Sequence, residues 1–366
     1  NASNPASYTA IDSLTFLFDA GMTLQNANFK DGNVKTNAKN SSFDYMAMQF
    51  RLWKKMGMTV GFLPFSTVGY SLYKTHEFED VDNNGSWGES FTGDGGFHQV
   101  FAGIGYKVLN NLSVGVNMSY LYGDITHQSM TIIGATPTRS IKLDKFSIND
   151  YKLDFGLQYT YKLNKKNTFN VGAVYSLGHT MNSEAYKYHQ TAVESNGSVY
   201  VQSQTGDTIA NPFKMPHMLG LGLTYVYDNR LTLGVDYTLQ KWETTDLSWS
   251  KFDKENLEMS KRTKIAVGAE YIPSYVSHNY LHRIRYRAGA YYSSPYNKVS
   301  GQDGAREYGV SVGFGLPMFQ SKSMLNISGQ YVKVSPKVKG MLEENYLKIN
   351  IGLTFNERWF MKWKVD

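Results

Sequence analysis

A chain of 366 residues with a formal net charge of +6, 42% hydrophobic residues, 14% aromatics and no cysteine excludes several classes at once. No stretch approaches the roughly 20 consecutive apolar residues that a membrane-spanning helix requires, and without cysteine there is neither a disulfide framework nor a thiolate site. The 37 basic residues lie scattered over turns and alternate strand positions, with no tract to follow a phosphate backbone, so nucleic acid is not an expected partner.

The 27 Tyr, 20 Phe and 33 Gly, set against 9 Pro, favour strands over helices. In chain order, two-residue alternation predicts about fourteen strands, near 13–25, 43–53, 57–73, 95–108, 112–125, 148–162, 168–182, 215–227, 231–244, 259–272, 281–293, 307–317, 323–334 and 344–358. The alternation is clear where Leu219, Leu221, Leu223 and Tyr225 interleave with Gly220, Gly222 and Thr224, and again over Leu231 to Gln240 and Tyr151 to Tyr161. A soluble sandwich also alternates, but these segments run about ten residues, the length of a tilted membrane strand. Their apolar faces end in tyrosines such as Tyr120, Tyr122, Tyr159, Tyr161, Tyr225 and Tyr227, the pattern of interfacial girdles. Short connections (54–57, 109–111, 162–167, 227–230) alternate with long ones (74–93, 126–147, 183–214), as short periplasmic turns alternate with long extracellular loops. The expected fold is therefore all-β: a transmembrane antiparallel β-barrel of about fourteen strands in a bacterial outer membrane, with both termini periplasmic.

Three short motifs carry a family resemblance. Asn4-Pro5-Ala6 resembles the Asn-Pro-Ala element of the FadL family of outer-membrane transporters for long-chain fatty acids and other hydrophobic compounds. Met215 to Tyr225, followed by Leu231 to Trp242, resembles that family's Pro-then-Gly strand and Asp-to-Trp hairpin, and Arg285 to Pro295 its Arg-x-Gly-x-x-Tyr-x-x-x-Pro strand. The resemblance implies a fourteen-stranded barrel with a small N-terminal hatch inside, so residues 1–12 are expected to be the end of a hatch segment, 13–358 the barrel and 359–366 a short tail. Because the Asn-Pro-Ala element stands at the start of the sequence, most of such a hatch would precede it.

Within the barrel, Pro64 in Gly61-Phe62-Leu63-Pro64-Phe65 cannot donate a ladder hydrogen bond. It is expected to kink the third strand, where the resembled family opens its wall sideways; the alternative is an ordinary strand end. Arg283, Arg285 and Arg287 alternate on one strand, with Glu270 and Asp236 on the lumen faces of neighbours, which suggests an internal salt-bridge network or an anion path. Asp80, Asp82 and Asn84 before Gly85 copy half of a calcium loop, but Phe91 stands where the bidentate Glu belongs, so no metal is expected. Neither a nucleophile elbow nor a His-Glu-x-x-His helix nor a phosphate-cradling loop occurs. No cofactor and no enzymatic activity are expected.

Two functions follow as alternatives: passive uptake of a hydrophobic small molecule, as the resemblance implies, or a non-transporting barrel subunit of a larger outer-membrane assembly. Relatives of the resembled family in the Bacteroidota serve as accessory barrels in barrel-assembly or type IX secretion-like complexes, and the Tyr-, Asn- and Lys-rich style here is similar. The partners implied are membrane lipids, a hydrophobic ligand in the first case, and other outer-membrane proteins and lipoproteins in the second.

Overall fold

The computed structural model describes residues 2–31, 34–77, 86–133, 136–196, 198–245, 257–299, 301–318, 322–336 and 342–358. Fourteen antiparallel strands close into a barrel. They are β1 Thr15–Asp31, β2 Val34–Trp53, β3 Met56–Glu77, β4 Ser86–Lys107, β5 Leu112–Ile133, β6 Thr138–Lys162 and β7 Asn167–Ser176. The second half comprises β8 Met218–Tyr227, β9 Leu231–Gln240, β10 Arg262–Tyr271, β11 Arg285–Ser293, β12 Arg306–Pro317, β13 Met324–Ser335 and β14 Glu343–Arg358. Each strand pairs with its sequence neighbours, and the pairing of β1 with β14, from Thr15 with Arg358 to Lys30 with Glu343, closes the ring.

The alternation decides which side faces lipid. Leu219, Leu221 and Leu223 point outward and are exposed, as are Leu233, Val235, Val310 and Val312, while Gly220, Gly222, Thr224, Gly234 and Asp236 share the inward face. Aromatic pairs mark the two edges of this apolar band: Tyr120 with Tyr122 and Tyr292 with Tyr308 at one level, Phe169 with Tyr225 and Tyr286 with Phe314 at the other. On β6 the exposed Tyr151 and Tyr161 bracket about 34 Å of strand. At a tilt near 40° that is about 26 Å of height, matching the apolar band of an outer-membrane barrel.

The wall is lopsided. Strands β3, β4 and β5 are 22 residues long and β6 is 25, whereas β7 to β10 have 10 each. Segments expected as long loops at 74–93, 126–147 and 183–214 are instead largely continuations of the ladder. Strands β4 and β5 stay paired up to Trp87 with Ile133, and a hairpin of Ser183–Ser195 and Ser198–Ala210 adds to the upper half of β6. Beyond the lipid both faces meet water, so the apolar half of the pattern vanishes while the backbone hydrogen bonds persist.

The eleventh strand begins at Arg285, not near 281, because Asn279 accepts a hydrogen bond from the Leu281 amide and caps a one-turn helix, α1, over Tyr280–Arg283. Arg283 therefore lies on the turn before β11, with its guanidinium 5.6 Å from the Tyr280 ring centroid.

Candidate functional site

The barrel interior has three compartments, each built by a different set of inward residues. At the end where the turns are short, a 3₁₀ segment over Pro5–Ala10 lies inside the wall against β3 to β6. Asn4 caps it by accepting from the Ala6 amide at 3.0 Å and donates to the Leu157 carbonyl at 3.1 Å; Pro5 follows at the position where a missing N–H costs nothing. Pro5, Ala6 and Tyr8 are fully buried. The Tyr8 hydroxyl donates to Asn117 at 2.9 Å, and the amide of Asn117 donates to the Ala2 carbonyl at 3.1 Å. Gln49 donates to the Tyr8 carbonyl at 3.1 Å, Arg51 to the carbonyls of Thr9 and Ile11, and Thr9 and Ser113 share a hydroxyl bond at 2.9 Å. Burial pushes the Tyr8 phenol up to about 12, so it stays a donor at ordinary pH.

The wall makes room for this plug by omitting side chains. A Cβ at Gly57 would stand 2.1 Å from the Tyr8 carbonyl oxygen, at Gly115 2.4 Å from the Pro5 carbonyl carbon, at Gly105 2.7 Å from the Pro5 oxygen and at Gly156 2.3 Å from Asn4 Oδ1. Four strands thus carry glycine where the plug comes closest. Asn4, Pro5 and Ala6 stand out in the sequence as a motif, whereas their anchors Gln49, Arg51, Ser113 and Asn117 do not. The available signal was polar inward positions flanking inward glycines.

Above the plug, the inward face of β5 changes character. Ser113, Asn117 and Ser119 give way to Leu121 and Ile125, which are buried with Phe97, Ile148, Met181 and Met215 in one apolar cluster, with Val68, Phe146 and Phe213 against it. Met181, Phe213 and Met215 come from the segments on either side of the added hairpin, which fold back into the mouth, where Lys214–Met215 bridges His179–Thr180. The inward face is thus apolar here, and its side chains fill the space themselves.

The third compartment, lined by β7 to β13, is open and carries charged and polar groups. One cavity of about 610 Å³ is lined by Asn4, Gln158, Asn170, Thr224, Asp236 and Lys264 among others. A second, of about 470 Å³, is bordered by Asp236, Glu270, Arg287, Asn326 and Ser328. Glu270 accepts from Arg285 at 3.2 Å and from Arg287 at 2.7 Å, and Arg287 also donates to Asn326 at 2.7 Å. Of the expected charge cluster, Glu270, Arg285 and Arg287 are joined, Asp236 lines the same cavities without an ion pair to either arginine, and Arg283 lies off the strand. Replacing Glu270 with Ala leaves two arginines facing each other, and destabilisation of about 1–2 kcal/mol is expected after discounting for partial exposure. Denaturant unfolding of the lipid-reconstituted protein checks it, and the loss should shrink in high salt.

Gly61 and Pro64 lie on β3 at a seam. Pro64 still pairs with His98 on β4, but the register slips between Pro64 and Ser66, so Phe65 bulges out. The β2–β3 ladder runs only from Trp53 with Met56 to Met46 with Phe62; above it, β2 continues to pair with β1 and β3 with β4. The proline is accommodated by a bulge beside the end of a ladder, and the strand itself continues. Gly61 faces Phe101, whose ring a Cβ would approach to 2.6 Å. Asp80, Asp82 and Asn84 fall outside the described residues, as does the tail at 359–366, while Phe91 is paired with Leu72 and Ser129 inside β4.

This geometry has solved counterparts. The toluene transporter TbuX of Ralstonia pickettii aligns with a TM-score of 0.63 at 12% identity, covering 97% of this chain and 92% of that one. A Pseudomonas aeruginosa FadL homologue aligns at 0.61 and 13% identity over 96% and 92%, and the P. putida toluene transporter TodX at 0.60 and 14% over 98% and 94%. The barrel thus has the fold of these outer-membrane proteins. A search of curated proteins returns no match. A family model described as BamG matches residues 1–366.

Proposed function

The chain belongs to the BamG family, and from that premise we propose that it is a non-transporting barrel subunit of a multi-protein assembly in a bacterial outer membrane, with both termini periplasmic. The observation that carries this reading is a lumen half filled by protein, whose open half carries charges of both signs. The plug occupies the β3–β6 half at the short-turn end, the apolar cluster occupies it at the other, and the remaining space is set with Asp236, Lys264, Glu270 and Arg287 among glycines, alanines and neutral polar groups, with Val174 and Met218 beside them. A hydrophobic solute gains nothing by leaving lipid for a polar, hydrated cavity. The tall wall of β3 to β6 and its added hairpin provide a broad surface outside the membrane on which other proteins can stand.

The purified, reconstituted protein is therefore expected to show no saturable binding of a radiolabelled long-chain fatty acid or of toluene, in a vesicle assay where a FadL-type transporter does. Saturable binding would overturn the subunit role. Uptake of a hydrophobic small molecule is the second reading, favoured by the β2–β3 seam at Pro64, which resembles a side exit in the wall. Under that route, a disulfide between Tyr45→Cys and Leu63→Cys, the next positions beyond the last seam pair, abolishes transport.

A further inference from the structure

The two halves of the lumen differ in one respect that bears on a separate activity. Inward glycines on the plug side are filled by the plug, whereas a Cβ at Gly220, Gly234 or Gly268 would find its nearest atom at 3.7, 4.0 or 3.8 Å. These positions line the open compartment, and its cavities share walls. The 610 Å³ cavity shares Thr224 and Asp236 with the 470 Å³ cavity. The latter shares Thr232 and Glu270 with a third, about 750 Å³, which reaches Asp12, Tyr275 and Lys322 at the short-turn end. Spaces of this size hold on the order of 20 waters each, and polar walls keep them wet.

Toward the opposite end, three adjacent strands carry a cluster of charged and polar side chains on their inward faces. Arg262 donates to Ser293 at 2.8 Å and lies 3.4 Å from Glu307; the Tyr291 hydroxyl donates to Glu307 at 2.5 Å, and the Lys264 ammonium stands 4.4 Å from the Tyr291 ring centroid. Glu307 is the shared acceptor that draws Arg262 and Tyr291 together on the inner wall.

We propose that the compartment lined by β7 to β13 is a hydrated path for water and small inorganic ions, running beside the fixed plug and constricted by Arg262, Tyr291 and Glu307. Charges of both signs, Lys264 and Asp236, then Arg287 and Glu270, succeed one another along it, so no single-sign ring selects one ion. The path is independent of whether the barrel serves an assembly: a subunit or a transporter could carry it.

The test is ion conductance of the full chain in planar bilayers in potassium chloride, with folding of every variant verified by the heat-dependent mobility shift of the barrel. Glu307→Ala is expected to raise conductance several-fold over the unchanged protein by releasing Arg262 and Tyr291. Gly268→Trp, far from the plug, is expected to lower conductance several-fold when placed in the Glu307→Ala background, and weak cation–anion selectivity is expected throughout. Silence of folded Glu307→Ala would overturn the proposal. So would a conductance that Gly268→Trp leaves unchanged, since the ions would then be passing elsewhere, and a conductance indifferent to Glu307→Ala would overturn the constriction.

Discussion

Replacing Gly115 with leucine is expected to expel the plug. The position offers no accommodation: a Cβ would lie 2.4 to 2.6 Å from the Pro5 carbonyl and the Ala6 nitrogen, which are backbone atoms held by caps and anchors on both sides. Loss of the seat strands Tyr8, whose fully buried ring and hydrogen bond to Asn117 make a contribution comparable with a large core side chain, about 3–5 kcal/mol. Amide exchange resolved over Ala6 to Ile11 should pass from protected to fast, while the strands of the barrel keep their protection. Gly268→Leu is the matched control, because its Cβ would meet nothing nearer than the Ala288 carbonyl oxygen at 3.8 Å, on the other side of the lumen, and the plug should stay protected. If Gly115→Leu leaves exchange over these residues unchanged, the plug is not seated as described.

Truncating Leu121 to alanine is expected to cost about 3–5 kcal/mol, in the range for a fully buried leucine whose neighbours cannot collapse into the gap. Leu121 has no exposed surface and packs among Phe97, Ile125, Ile148, Met181 and Met215. Two of these come from segments that re-enter the mouth, so the loss should also free the base of the added hairpin, read as faster exchange at Met181 and Met215. Leu221→Ala, on the lipid face with about half its surface exposed, should cost far less. Equal losses at the two positions would mean that the mouth holds no true core.

Strand number and order were legible because lipid imposes a strict rule: every second residue from Leu112 to Tyr122, or Leu219 to Tyr227, must be apolar, and water or the plug takes the rest. Where that rule lapses, so does legibility. Thr126, Gln128 and Lys142 sit in regular ladders above the membrane, yet their sequence reads as loop because neither face is in lipid. The Leu121 and Ile125 cluster was hidden for a related reason, since apolar residues on the inner face look like a slip in register and not like a second core. Asn4, Pro5 and Ala6 could be picked out as a motif, but Gln49, Arg51 and Asn117 became anchors only through contacts spanning 41, 42 and 109 positions. For the arginines, extending the two-residue period back to 281 missed the helical turn over Tyr280–Arg283, whereas Glu270 with Arg285 and Arg287 followed from strand adjacency. The ion pair of Arg262 and Glu307 joins strands that are not direct neighbours, which no local pattern reveals.

Whether this barrel works with other proteins is tested most directly by mild-detergent extraction of the tagged protein from its native membrane, followed by mass determination of the intact particle and counting of each component. The expected result is a particle well above the 41.4 kDa of one chain, with other outer-membrane proteins in fixed stoichiometry that survives washing and is retained by a Glu270→Ala variant. Recovery of a single barrel carrying only lipid and detergent, under conditions that preserve known outer-membrane complexes, would contradict the subunit role and return the seam at Pro64 to the centre of the functional question.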